Sequence, residues 1–273
     1  MNKNYFSFVE DIVNRILCLK RDNRGSHNYA PIEEYVKYII FKLISGCSWD
    51  NFNFLPNIPF SGDTLRKKFN YWSNSGIFND QFHELVNILL KNENIKNAYM
   101  DSFDILNYRG SKNDVAIGYK YKNKNALRTN IIATENCLPL AVDFYPANIN
   151  DNQRIEKILD QMTFKKSYND PFKVVADLGY IINKERNQQI RSKYHVTIVT
   201  SKRKNMKKKR ITNENKKLLK KRICIEHFHA KLKSKFKQLR HVTEKGIEKI
   251  KRWFLLSFSY LLLEYFENNG IEY

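Results

Sequence analysis

The feature that most constrains this chain is a change in its hydrophobic period near residue 96. Before it, apolar residues recur at helical spacing. After it, they come in short runs of the kind strands make. In "PIEEYVKYIIFKLISGCSW", Tyr35, Ile39 and Leu43 fall at i, i+4 and i+8. They form one face of a helix that starts near Pro31 and ends near Gly46. "SWDNF" offers Ser48 or Asp50 as the cap of a short second helix. "SGDTLRKKFNYWSNSGIF" starts a third, with Ser61 or Asp63 as cap and Leu65, Phe69 and Trp72 as its apolar face. Arg66, Lys67 and Lys68 lie on its other sides. Helix, short helix, basic helix is the pattern of a helix-turn-helix, whose last helix enters the major groove. A plain helical bundle with a basic surface fits the same residues. The chain is therefore divided into an all-helical domain over 1–95 and a second domain over 96–273.

The second part reads as alternating strands and helices. "NAYMDSFDIL", "RTNIIAT", "LPLAVDFYPA", "FKVVADLGY" and "HVTIVTS" are the strands. Helices are expected over 151–163, about 181–191, about 215–240 and 244–267. Residues 202–217, "KRKNMKKKRITNENKK", are too charged to pack and read as a loop or extended hairpin. The expectation is an α/β layer domain, a mixed sheet flanked by helices.

The charge narrows the partner. Lys and Arg number 48 against 28 Asp and Glu, a net +20, which points to a polyanion and most often to nucleic acid. The run 202–222 alone sets twelve Lys and Arg, among them Lys207, Lys208, Lys209 and Arg210, against Glu214. It reads as an arm that tracks DNA, with a solvated loop or a localisation-like patch as the alternatives. Cys18, Cys47, Cys137 and Cys224 are scattered, as buried thiols in a reducing compartment are. The start "MNKNYFSFVEDIVNR" carries charges where a secretory leader would be apolar. The longest apolar run, 253–263, is too short to span a bilayer. It reads as a core helix or an oligomer contact, and no membrane partner is expected.

Three carboxylates stand apart from this basic background. Asp101 lies inside the first strand between Met100 and Ser102, where a charge is costly unless paired or metal-bound. Asp177 ends the strand "KVVAD", just before Gly179. Glu226 is the one acid in "RICIEHFHAKLK". All-oxygen ligation suits a hard cation, Mg²⁺ or Mn²⁺. At about 100° per residue, Arg222, Glu226 and Lys233 share one helix stripe, while Ile225, Phe228, Leu232 and Leu239 form another. The polar stripe also fits an ordinary salt-bridge ladder. Two divalent ions about 3.5–4 Å apart activate a nucleophile and stabilise the leaving oxygen at a phosphodiester.

Arg222, Glu226 and Lys233 stand at the spacing Arg-x3-Glu-x6-Lys, after "YMDSF" with Asp101 and "VVADLGY" with Asp177, Gly179 and Tyr180. In this the chain resembles the DDE transposases of bacterial-type insertion sequences, specifically the insertion-sequence four/five superfamily. The resemblance runs from about residue 30 to 240. "LPLAVDFYPANINDNQ" resembles the family's strand, small-residue turn and aspartate, here Asp151. Leu219 stands where the family has tyrosine, and "ATENC" departs from the family's Asp and Gly in that turn.

The resemblance implies an RNase H-like catalytic fold. It implies cleavage and strand transfer at the ends of a mobile element, with two Mg²⁺ or Mn²⁺ ions held by Asp101, Asp177 and Glu226. Arg222 and Lys233 would contact DNA phosphates. It implies double-stranded DNA as partner and a homodimer assembled on it. The compartment would follow the host: cytoplasm and nucleoid in a prokaryote, nucleus or virus factory otherwise. Competing readings are a transposase-derived DNA-binding protein without catalysis and an RNase H-like nuclease without strand transfer. His227 and His229 face different ways on a helix; a metal pair is not expected, though His229 can reach a phosphate. Asp104, three residues from Asp101, faces the opposite side of the strand. Asp151 is expected to cap the helix that follows it.

Overall fold

The computed structural model describes residues 3–19, 30–106, 115–117, 124–162, 171–202, 211–240, 242, 244 and 246–273. Contacts gather the chain into two compact units. The first holds Met1–Leu85, Lys233–Val242 and Glu248–Tyr273; the second holds Val86–Leu232 and Thr243–Ile247.

The second unit is built on one six-stranded sheet. Its strands are β1 (Asn97–Leu106), β2 (Ala116–Ile117), β3 (Asn125–Ala133), β4 (Pro139–Pro146), β5 (Phe172–Ala176) and β6 (Val196–Thr200). The order is β2-β3-β1-β5-β6, with β4 also paired to β3. β1 runs antiparallel to β3 and parallel to β5, and β5 runs parallel to β6. Antiparallel strands continued by two parallel ones, with helices flanking, make the mixed RNase H-like sheet that was expected. The short helix α5 (Ile155–Leu159) packs near β4, and α6 (Lys184–Tyr194) crosses between the parallel strands β5 and β6, as a parallel pair requires. Val174, Val175 and Ala176 of β5 are fully buried, which is why that strand reads as an unbroken apolar run.

Two expected helices come out differently. The segment 151–163 is a 3-10 turn over Asp151–Arg154 followed by α5. Its N-cap is Asn150 and makes no side-chain cap bond, so Asp151 is not a cap. The expected 215–240 helix is split into α7 (Asn213–Lys221) and α8 (Ile223–Lys235), and then a 3-10 turn over Lys237–Leu239. The break falls at Arg222, whose N–H closes on the Leu219 carbonyl at 3.4 Å, three residues back rather than four. Lys216, Lys217, Lys220 and Lys221 crowd like charges at i, i+3 and i+4 just before it, which weakens a continuous helix there.

The first unit is helical: α1 (Lys3–Leu17), α2 (Ile32–Ser45), α3 (Gly62–Asn74), most of α4 (Ile77–Asn92) and α9 (Ile247–Asn269). α2 ends as expected at Gly46, in left-handed conformation with φ 69°. Ser61 caps α3 by accepting from the Thr64 N–H at 3.2 Å, while Asp63 takes Arg66 and Lys67 instead. A 3-10 turn over Asp50–Phe54 separates α2 from α3. Gly62 is required there, because a Cβ would lie 1.7 Å from the Trp49 carbonyl oxygen. Leu65, Phe69 and Trp72 are buried as the spacing predicted.

The core of this unit is aromatic and is closed by α9. Trp253 stacks on Phe69 at 4.1 Å between centroids and lies 5.9 Å from Trp49. Tyr260 meets Phe8 edge-on at 5.0 Å, and Phe258 lies 5.6 Å from Phe82. Every residue from Trp253 to Leu263 is buried. The apolar run is thus a core helix, and no described helix is long and apolar enough to cross a membrane.

The sequence division at 95/96 follows chain order, whereas contacts place α9 with the N-terminal helices. A fragment 96–273 would leave Trp253, Phe258 and Tyr260 without their N-terminal partners. It is expected to aggregate or elute as large oligomers in size-exclusion chromatography. In the full chain, Trp253→Ala is expected to cost about 3–5 kcal/mol in urea unfolding. A soluble, monomeric 96–273 fragment would contradict this account.

Candidate active site

The site begins with strand register. Met100 of β1 is opposite Ala176 of β5 in their parallel pairing, the last pair of that ladder. Asp101 and Asp177 are the residues that follow this pair along β1 and β5, so the pairing brings them side by side where β5 ends. Asp177 then caps the 3-10 turn Leu178–Tyr180, its Oδ1 accepting from the Gly179 N–H at 2.7 Å. The carboxyl end of parallel strands is where open α/β sheets hold ligands.

Helix α8 and the break before it supply the other groups. Arg222 Nη2 donates to Glu226 Oε1 at 2.9 Å, and Arg222 Nη1 lies 3.9 Å from Asp101 Oδ2. His229 Nδ1 also lies 3.9 Å from Asp101 Oδ2, and its ring meets Phe103 edge-on at 4.7 Å. Arg222 thus links Glu226 to Asp101, His229 approaches the same Asp101 oxygen, and Asp177 is near enough to Asp101 for its charge to act on it. His229 lies three residues after Glu226, on the helix stripe already marked by Arg222 and Glu226. That spacing was the signal that could have assigned it to Asp101 rather than to a phosphate.

The electrostatics are unbalanced. Asp101 is pushed up to about 7, first by burial and then by the charge of Asp177; Arg222 opposes this, and Glu226 adds to it. Asp101 and Glu226 thus share one guanidinium, with the charge of Asp177 acting on Asp101 as well, and the site favours added positive charge. Among the described residues, no group of three or more acidic, histidine or cysteine side chains is placed to hold a metal ion. Glu226, 53% exposed, is turned to Arg222. Two adjacent carboxylates, one of them poorly ionised because it is buried beside another carboxylate, suit a hard divalent cation.

The other expected site residues lie elsewhere. Arg66 and Lys67 are exposed on α3 and both pair with Asp63, Lys67 at 2.9 Å. Lys68 sits 5.7 Å from the centre of the Tyr35 ring, and burial lowers its pKa. Lys233 is half-buried in the last turn of α8, and its carbonyl accepts from Arg240 Nε at 2.6 Å. Lys207, Lys208, Lys209 and Arg210 fall outside the described residues. Leu219, in the place of the family tyrosine, is half-buried on α7. Asp104 does face away from Asp101: Arg128 of β3 clamps it with Nε to Oδ1 at 2.7 Å and Nη2 to Oδ2 at 3.2 Å.

The family model described as "Transposase DDE domain" matches residues 93–262. No curated protein and no solved structure matches the chain.

The raised Asp101 carboxyl carries a sign that can be measured on the metal-free chain. Its folded value of about 7 lies above the ordinary carboxylate value. Its contribution to stability is therefore complete only below about pH 4 and is lost as pH rises through 7. Asp101→Asn removes the ionising group. Its melting temperature is expected to exceed that of the parent at pH 8, by on the order of a few kcal/mol in stability. The gain should shrink below pH 7 and vanish near pH 4. Equal stability of the two proteins at pH 8 would show that Asp101 is not charge-strained.

Proposed function

Because this chain belongs to the DDE transposase family, we propose that it is an active transposase that cuts and joins DNA at the ends of a mobile element of insertion-sequence type. The observation that carries this reading is the meeting of Asp101 and Asp177 on adjacent parallel strands with Glu226 and Arg222 beside them. Asp101, Asp177 and Glu226 would hold Mg²⁺ or Mn²⁺. Bound there, a pair of such ions supplies an activated nucleophile and charge stabilisation at a phosphodiester. Arg222 compensates the carboxylates of the metal-free chain, through its 2.9 Å bond to Glu226 and its 3.9 Å approach to Asp101. Freed from Glu226, its planar fork suits a DNA phosphate.

Double-stranded DNA is the partner that a net charge of +20 supports. Lys233 contacts backbone phosphate. Lys67, 76% exposed, and Arg66 on α3 reach the element end, and the basic segment 202–222 follows the backbone. These contacts position the duplex rather than read its bases. Cutting two ends in concert calls for a homodimer assembled on DNA.

Two substitutions separate catalysis from binding. Glu226→Gln keeps the shape of the side chain and removes its charge; it is expected to abolish Mg²⁺-dependent cleavage of duplexes carrying the element's own ends while gel-shift affinity survives. Lys233→Ala is expected to weaken binding and lower the salt slope of log K by about one, with residual cleavage at high protein concentration. Ca²⁺ in place of Mg²⁺ should support binding without cleavage. Were Glu226 only the partner of Arg222 in an exposed helix pair, worth about 0.3–0.5 kcal/mol, Glu226→Gln would cleave nearly as the parent does. The active reading would then fail.

A further inference from the structure

A second constellation lies behind the site, on the other face of β1. Ser102 and Asp104, two residues apart, share the face opposite Asp101. Asp151 is fixed there by three donors from three strands. Ser102 Oγ of β1 donates to its Oδ2 at 3.0 Å. Arg128 Nη1 of β3 and Tyr145 OH of β4 donate to its Oδ1 at 3.1 and 2.8 Å. Arg128 is itself held by the fork to Asp104, whose side chain is 2% exposed. Burial, and then the Asp151 charge, push the Tyr145 phenol well above its ordinary pKa, so it remains a donor.

This carboxylate does not end in empty space. A Cβ built on Gly179 would lie 3.4 Å from Asp151 Oδ2 and 3.0 Å from Asp177 Oδ1. The turn after β5 is thus confined between two carboxylates. One is its own cap, Asp177; the other, Asp151, is anchored to the sheet. Tyr180, the next residue, is fully buried, and its hydroxyl donates to Asn130 Oδ1 at 2.8 Å.

We infer that Asp151 is a positioning residue. Tied to β1, β3 and β4, it backs the Gly179 turn and thereby sets where Asp177 presents its carboxylate. The inference rests on the reading of Asp177 as a metal ligand. It assigns the buried Arg128–Asp104 pair a role too, that of fixing Asp151. Groups that orient a ligand typically change metal affinity or activity by 10–100-fold when removed.

The test uses the full chain and four variants: Asp151→Ala, Asp151→Asn, Gly179→Ala and Ile158→Ala. Ile158 is buried in α5 of the same unit, so its truncation is a destabilised control with no polar tie to the turn. Mn²⁺ affinity is read by calorimetry, the Gly179 amide by hydrogen exchange without metal, and DNA affinity by gel shift. Asp151→Ala is expected to weaken Mn²⁺ binding about tenfold or more and to speed Gly179 exchange at least as much. DNA affinity should hold. Asp151→Asn, which keeps size and one acceptor oxygen, should fall between it and the parent. Gly179→Ala, which crowds both carboxylates, should weaken Mn²⁺ binding as well. Parent-like Mn²⁺ affinity and Gly179 exchange in Asp151→Ala or Asp151→Asn would overturn the inference, as would an equal loss in Ile158→Ala. Asp177→Asn separates the two layers. If it binds Mn²⁺ normally, the metal reading fails. If it loses Mn²⁺ while Asp151→Ala does not, only the positioning role fails.

Discussion

The parallel pairing of β1 with β5 is the interaction on which the site depends. It is a backbone ladder of four registered pairs, from Asn97↔Lys173 to Met100↔Ala176, and it ends one residue before two aspartates. A slip of one residue would turn one of those carboxylates to the opposite face. The buried neighbours Ala98, Tyr99, Met100, Val174, Val175 and Ala176 oppose such a slip, because each would lose its place in the core. The core thus fixes the geometry of two charged groups that it would otherwise reject.

Burying those charges has a cost that the fold only partly offsets. Arg222 is the nearby cation, and it is divided between Asp101 at 3.9 Å and Glu226 at 2.9 Å. A carboxyl displaced to about 7 is destabilising at neutral pH in the metal-free chain. Strain of this kind at a functional site is what an arrangement built to receive a divalent cation would carry. The rest of the unit is in a position to tolerate it. Arg154 with Asp143 and Arg186 with Glu156 are fork-like, partly buried pairs, and Arg128 forks the buried Asp104 while also reaching Asp151.

Much of this was legible in the sequence, and the reasons differ from residue to residue. Asp101 showed itself as a charge inside an apolar strand, and Asp177 as one at the end of an apolar run; both are local signals. The helices α2 and α3 followed from apolar spacing and the Ser61 cap. The break at Arg222 was not legible, because each residue around it has respectable helix propensity and the crowding of lysines is a collective effect. Nor was the membership of α9 in the helical unit. Its partners Phe8, Trp49, Phe69 and Phe82 lie roughly 170 residues or more away, and an apolar helix does not name its partner. Helix spacing separates His229, on the Arg222–Glu226 stripe, from His227, but what His229 faces shows only once β1 is in place. His229 is buried against Phe103 and Asp101, while His227 is exposed.

Asp151 marks the limit of local reasoning most clearly. An aspartate followed by a helical stretch reads as an N-cap, and by local rules that is the better reading. The fold overrides it because Ser102, Arg128 and Tyr145 converge from three strands, and three donors to one carboxylate outweigh a single cap bond to a backbone N–H. The helix that would have needed the cap is then left short and begins as a 3-10 turn. So the same side chain that shortens the element it starts becomes a fixed point for a turn that follows β5. The sheet gains a rigid support behind Gly179 by giving up a regular helix after β4.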